Sequence, residues 1–166
     1  MSSMSTISEQ DVWDILRAIP DPEIQTINLV DLGVIRKIAT GERIVVEIMP
    51  TFVGCPALEM MQREIKAKLA PYGEVEVKVV YSESWTTERI TEAGRAMLRA
   101  AGIAPPTHQK VSTLPVLHRG TRGVAQECPF CHSQQTHMEN LFGPTPCRAI
   151  CYCDHCHQPF EQFKVI

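Results

Sequence analysis

The chain has 166 residues, 44% of them hydrophobic and 21% charged, with a formal net charge of -3. That length allows one modest core with a small appended module, and no run of about eighteen apolar residues occurs, which argues against a membrane span. Residues 1–10 lack the basic and apolar regions of a secretory signal, so a reducing, cytoplasmic setting is expected, in which seven cysteines point to metal and not to disulfides.

In chain order, Ser8 reads as an N-cap with Asp11 three residues on, and Val12, Ile15, Leu16 and Ile19 follow at helical spacing. Pro20-Asp21-Pro22 ends that helix. After an irregular apolar stretch to Gly33, Val34 to Ile38 and Ile44 to Met49 read as a hairpin turning near Thr40-Gly41. Pro50 closes the second strand. Thr51-Phe-Val-Gly-Cys-Pro56 then leads into a second helix with Leu58, Met61, Ile65 and Leu69 on one face. Pro71-Tyr-Gly73 breaks it, and the alternation of Val75, Val77 and Val79 with Glu74, Glu76 and Lys78 predicts a half-buried strand. Thr87 is the expected cap of a third helix carrying Ile90, Ala93, Met97, Leu98 and Ala101 and closed by Gly102. The predicted class is α+β, a small three-stranded sheet covered by helices in the order α-β-β-α-β-α over residues 7–103. Residues 104–126, rich in proline and glycine and without periodicity, read as a linker or extended arm.

Residues 127–166 form the second predicted module, a four-cysteine metal ribbon. Cys128-Pro-Phe-Cys131 and Cys153-Asp-His-Cys156 are two Cys-x-x-Cys pairs separated by 21 residues, and six of the seven cysteines fall within 29 residues. Each pair places two sulfurs on one tight turn, and a hairpin between them brings the turns together, which predicts a tetrahedral four-thiolate site. A segment this small needs a staple, and bound metal contributes folding free energy directly. Phe142, Phe160 and Phe163 are the expected small core around it. Zinc is the expected metal, with an iron–sulfur cluster or a redox pair as alternatives, since thiolates suit all three. Cys147 and Cys151 are surplus to four ligands; Cys147 is a candidate extra ligand.

Cys55 is the one cysteine outside the tail. It precedes a predicted helix, where unpaired backbone N–H groups favour a thiolate. Asp21, Glu23 and Thr51 are candidate neighbours if the fold brings their loops together, although taken singly a carboxylate or hydroxyl bonding its own turn is the plainer reading. No glycine-rich dinucleotide loop, P-loop or paired Glu-x-x-His motif occurs. Between Val124 and Ile166 two basic residues, Arg148 and Lys164, stand against Glu127, Glu139, Asp154 and Glu161, the wrong balance for nucleic acid. A thioredoxin-like setting around a single Cys-x-x-Cys pair is missing too.

Asp21-Pro-Glu23, Asn28-Leu-Val-Asp-Leu-Gly33, Thr51-Phe-Val-Gly-Cys-Pro56 and Trp85 together resemble the MIP18 family (domain of unknown function 59), small α/β domains linked to iron–sulfur cluster assembly. With Thr91-Glu-Ala-Gly-Arg95, Gly102-Ile-Ala-Pro-Pro106, the two cysteine pairs, Phe142-Gly-Pro-Thr-Pro-Cys147 and Pro159-Phe-Glu-Gln-Phe-Lys164, nearly the whole chain resembles the D-type accessory components of the phenylacetyl-CoA epoxidase (ring 1,2-epoxidase) systems of aerobic phenylacetate degradation. The resemblance implies an accessory role, with the oxygenase chemistry on other components and this one not itself catalytic. It implies metal-centre maturation, with the iron–sulfur reductase as protein partner, a transient iron–sulfur cluster at Cys55 beside Glu23 and Thr51, and metal ligation by Cys128, Cys131, Cys153 and Cys156. Cys151 departs from the family pattern, where a residue that binds no metal is expected. A structural adaptor with a purely structural zinc stays open as the alternative role, and a homodimer as an alternative assembly.

Overall fold

The computed structural model describes residues 7–52, 54–106 and 126–165. They form two compact units, Met1–Gly94 and Arg95–Ile166.

In the first unit, helix α1 (Glu9–Arg17) starts where the sequence signals it. Ser8 Oγ accepts the Asp11 N–H at 3.1 Å, and the Asp11 carboxylate accepts the Ser8 N–H at 3.3 Å, a reciprocal capping box. Strands β1 (Ile35–Ala39) and β2 (Ile44–Ile48) form the expected antiparallel hairpin, with a register shift between Ile35 and Lys37. Helix α2 (Leu58–Leu69) then crosses over to β3 (Val75–Val79), which pairs with β2 in parallel, as a strand–helix–strand connection dictates. The three strands lie in the order β1-β2-β3. Ile44, Val46 and Ile48 of the central strand are buried together with Val12 and Leu16 of α1 and Met61, Ile65 and Leu69 of α2, which make one core from the predicted apolar faces.

Helix α3 (Glu92–Ala100) starts later than the sequence suggests. Thr87 lies in a single 3-10 turn (Thr87–Arg89), and Ile90 is extended. The cap is Thr91, whose Oγ1 accepts the Gly94 N–H at 3.0 Å. Its hydroxyl donates to the Asp31 carboxylate at 2.7 Å, so the start of the helix is set by a residue sixty positions earlier and not by local sequence. Gly102, at φ +77, closes the last turn as predicted.

The second unit is a four-stranded sheet of order β4-β7-β6-β5, with β4 (Ile103–Ala104), β5 (Thr136–Asn140), β6 (Arg148–Cys153) and β7 (Pro159–Phe163). The last three form the antiparallel ribbon, and β4 joins β7 in parallel. Ala104, read from the sequence as the start of a linker, is thus a fully buried strand residue; positions 107–125 of that linker lie outside the described residues. Phe160 and Phe163 are buried as expected. Phe142 is not: it is 78% exposed on the β5–β6 connection, with the Lys164 ammonium 5.8 Å above its ring. The core instead uses Ala104, Cys128, Cys151, Cys153 and Phe160, mostly small and sulfur-bearing side chains that fill a thin sheet.

Candidate functional site

The register of the first sheet decides where its loops go. Ile35 pairs with Ile48, and Ile48 with Val79, so the chain entering β1 and the chains leaving β2 and β3 all emerge at one end of the sheet. Two backbone bonds fasten them there, Met49 N–H to Val34 O at 2.8 Å and Val80 N–H to Ile48 O at 2.9 Å. The motif residues Asp21, Glu23, Asn28–Gly33, Thr51–Pro56 and Trp85 belong to these three connections.

Within that end the motifs divide the work. Asp21 is buried, and its carboxylate accepts the N–H groups of Glu23 and Ile24 at 2.9 and 2.8 Å, which makes it the organiser of its own turn. Asn28 and Asp31 bond reciprocally: the Asn28 amide donates to Asp31 Oδ2 at 2.6 Å and the Asp31 N–H donates to Asn28 Oδ1 at 2.8 Å. Asp31, 5% exposed, then receives Thr91 and ties this loop to the start of α3. Gly33 sits at φ +76, and an added Cβ would lie 2.4 Å from the Arg89 carbonyl oxygen, so the position needs glycine on both counts. The Arg89 guanidinium in turn donates to Gly33 O at 3.0 Å. Trp85 is a core residue, 3% exposed, its indole N–H donating to Leu32 O at 3.1 Å.

Cys55 lies at the base of the β2–α2 loop, at the margin of burial with 9% of its surface exposed. Gly54 before it takes φ +84, and the Cys55 carbonyl accepts the Leu58 N–H at 3.2 Å, so the cysteine stands one turn ahead of α2, not at its first residue. Thr51 opens the same loop and Glu23 belongs to the connection ahead of β1; both are half-buried. Phe52, between Thr51 and Cys55, and Met60, on the first turn of α2, are exposed.

In the second unit the two Cys-x-x-Cys pairs make matching knuckles. The Cys128 N–H donates to Ser133 O and the His132 N–H to Cys128 O, both at 3.0 Å; the Cys153 N–H donates to Gln158 O at 3.0 Å and the His157 N–H to Cys153 O at 2.9 Å. His132 and His157 take φ of 60 and 59, the left-handed turn that re-aims the chain after each pair. The repeated Cys-x-x-Cys-His was visible in the sequence as the mark of this symmetry.

The four sulfurs of Cys128, Cys131, Cys153 and Cys156 all lie within 4.8 Å of one another. Across the knuckles Cys128 Sγ is 3.7 Å from Cys156 Sγ, and Cys131 Sγ 3.6 Å from Cys153 Sγ. A tetrahedral ion with metal–sulfur bonds of about 2.3 Å has ligand edges of about 3.8 Å, so the donor set and its spacing fit a single bound metal. The electrostatics agree. Burial opposes ionisation of Cys153, yet the N–H groups of Cys156 and His155 hold its thiolate and bring it down to about 7. Burial, with the neighbouring Cys131 thiol, pushes Cys156 up to about 12. Without a cation the sulfurs cannot all be thiolates together, which is the condition a metal relieves.

Cys147 and Cys151 are not among those four. Cys147, before β6, is buried with its Sγ 3.1 Å from Thr145 Oγ1 and its carbonyl accepting the Lys164 N–H. Cys151 faces the inner side of the sheet, where its thiol donates to Gln162 Oε1 at 3.3 Å. Burial pushes that thiol up to about 11, the state of an inert core residue.

Comparison with known proteins matches both units. Residues 9–80 fit the model of the iron–sulfur cluster assembly protein family, and residues 113–164 fit the PaaD zinc beta ribbon domain. A crystal structure of a domain of unknown function 59 from Bacillus anthracis superposes with a TM-score of 0.51 at 27% identity, covering 54% of this chain and 90% of that one. A curated protein of Escherichia coli (strain K12), the D component of a 1,2-phenylacetyl-CoA epoxidase, is 36% identical over 173 residues, covering all of both chains. Among the described residues no helix is long and apolar enough to cross a membrane. Full-length likeness in both units together, not in either alone, therefore carries the assignment: this chain belongs to the family of the D components of 1,2-phenylacetyl-CoA epoxidases.

Proposed function

We propose that this chain is a maturation factor of a phenylacetyl-CoA epoxidase system, which accepts iron or an iron–sulfur cluster at Cys55 and passes it to the system's iron–sulfur reductase by exchange of thiolate ligands. The observation that carries this is Cys55 at the margin of burial on a loop set at the end of the sheet where every family motif of the first unit gathers. Thr51 and Glu23 supply oxygen donors on the loops of that same end, while Asp21 Oδ1 accepts two N–H groups of its own turn. The reading draws on the match of residues 9–80 to the cluster-assembly family and on the full-length likeness to the Escherichia coli epoxidase component.

In the same reading the tail holds zinc. A single tetrahedral ion suits sulfur separations of 3.6 and 3.7 Å, whereas a multi-iron cluster puts its own irons and sulfides between the thiolates and spreads them further apart. The test is Cys55→Ala. The variant folds and keeps its tail metal, and the reductase co-produced with it carries less iron and sulfide than with the intact chain. Unchanged cluster content in the reductase would sink the transfer role. It would favour the second reading, a structural adaptor, to which the closed ribbon and its exposed Leu141 and Phe142 are suited. In that case deletion of 127–166 breaks complex assembly while Cys55→Ala is silent.

A further inference from the structure

We propose that the four-sulfur site is also a peroxide-responsive clasp, in which oxidation joins Cys128 to Cys156 and Cys131 to Cys153 across the two knuckles as the metal leaves. This rests on the metal reading of the ribbon and not on any role of Cys55. Two observations carry it. The cross-knuckle sulfurs already touch, at 3.7 and 3.6 Å, and the two pairs share no atom, so both bonds can form in one chain. Each needs about 1.6 Å of closure to reach a disulfide length. Each pair also joins a half-buried sulfur, Cys131 or Cys156, to a fully buried one, Cys153 or Cys128. The half-buried member meets hydrogen peroxide, and the buried member resolves the product.

The chemistry balances. Peroxide transfers one oxygen to the half-buried thiolate, which gives a sulfenic acid and hydroxide; the buried thiolate then attacks that sulfur, forms the S–S bond and expels a second hydroxide. Four thiolates and two peroxides become two disulfides and four hydroxides, and a divalent metal departs with its charge unchanged. Bonds across the knuckles keep the ends of the hairpin joined once the metal has gone, whereas bonds within each Cys-x-x-Cys would leave the two turns separate. The oxidised ribbon therefore keeps the arrangement that a reductant and fresh metal need to restore the site.

The experiment uses the full chain, with its metal content measured first. Hydrogen peroxide is titrated in the presence of a chromogenic metal chelator, free thiols are blocked with iodoacetamide, and the chain is cut with chymotrypsin after Phe130 and Phe142 and with Asp-N protease before Asp154, so that the four cysteines fall on separate peptides. The expected result is release of one metal ion per chain together with the Cys128–Cys156 and Cys131–Cys153 linked peptides, reversed by dithiothreitol and added metal. Links within a knuckle, links to Cys55, Cys147 or Cys151, or sulfinic acids without disulfides would overturn the proposal and leave the metal reading standing. A chain that carries no metal before peroxide is added would overturn both.

Discussion

At Gly94 two effects of opposite sign meet. Glycine in a helix costs up to about 1 kcal/mol relative to alanine, so Gly94→Ala would ordinarily stabilise α3. Here an added Cβ would lie 2.5 Å from the Asp31 carbonyl oxygen and 3.0 Å from Ile27 Cδ1. The oxygen cannot retreat without breaking its 2.9 Å bond from the Thr91 N–H. We expect Gly94→Ala to destabilise the first unit by about 1–3 kcal/mol, read from the urea midpoint; a gain in stability would show that the close approach does not exist. Cys151 supplies the pH dependence. Burial raises its thiol from 9.0 to about 11, so above pH 9 the unfolded chain sheds a proton that the folded chain keeps. Its contribution is fully present below pH 9 and is lost as pH rises through about 11. Cys151→Ala should flatten the fall in stability over that window. At pH 8 iodoacetamide should leave Cys151 unlabelled in the folded chain, and mass spectrometry of its peptide checks this.

Among the elements, α1 and α3 show two kinds of helix start. The α1 start is local: Ser8 and Asp11 satisfy each other's N–H groups three residues apart. Removing that cap in Ser8→Ala should cost about 1 kcal/mol, measured by thermal or urea unfolding of the first unit, with the sheet otherwise intact. The α3 start is tertiary, since Thr91 gains its place from Asp31. Thr87 and Thr91 are equally good caps by residue type, and only the loop that carries Asp31 chooses between them. The ribbon strands show the same division. Their hairpin follows from the spacing of the cysteine pairs, but the addition of β4 to the far edge does not, because a two-residue strand carries no periodicity.

Over the whole molecule, the two units are held by different physics. The first has a core of fully buried aliphatic side chains drawn from α1, α2 and the sheet, and needs no staple. The second packs its cysteine knuckles in a thin core in which Phe160 stands among Ala104, Cys128, Cys151 and Cys153, with Phe163 buried as well, and a ribbon of about forty residues is of the size that needs a metal to fold. Chelation of the metal should therefore unfold β5, β6 and β7 and leave β1, β2 and β3 intact. Hydrogen exchange resolved by segment reads this directly: protection is lost in 136–163 and kept in 35–79. Equal loss in both segments would mean that the units share one cooperative transition.

The sequence by itself determined the α+β class, the order of helices and strands to Val79, the hairpin turns and the four cysteines that gather in the ribbon. These rest on the period of apolar residues, on capping residues and on the spacing of cysteines, all of which act within a few residues of one another. It did not determine the exposure of Phe142, the inert burial of Cys151, the left-handed histidines or the commitment of Asp21 to its own turn. Nor could it show that Asp31 reaches Thr91, or that the loops bearing Glu23, Thr51 and Cys55 leave one end of the sheet. Those outcomes depend on strand register and on contacts across tens of residues, where the competing arrangements are alike in local propensity and differ only in what they bury together.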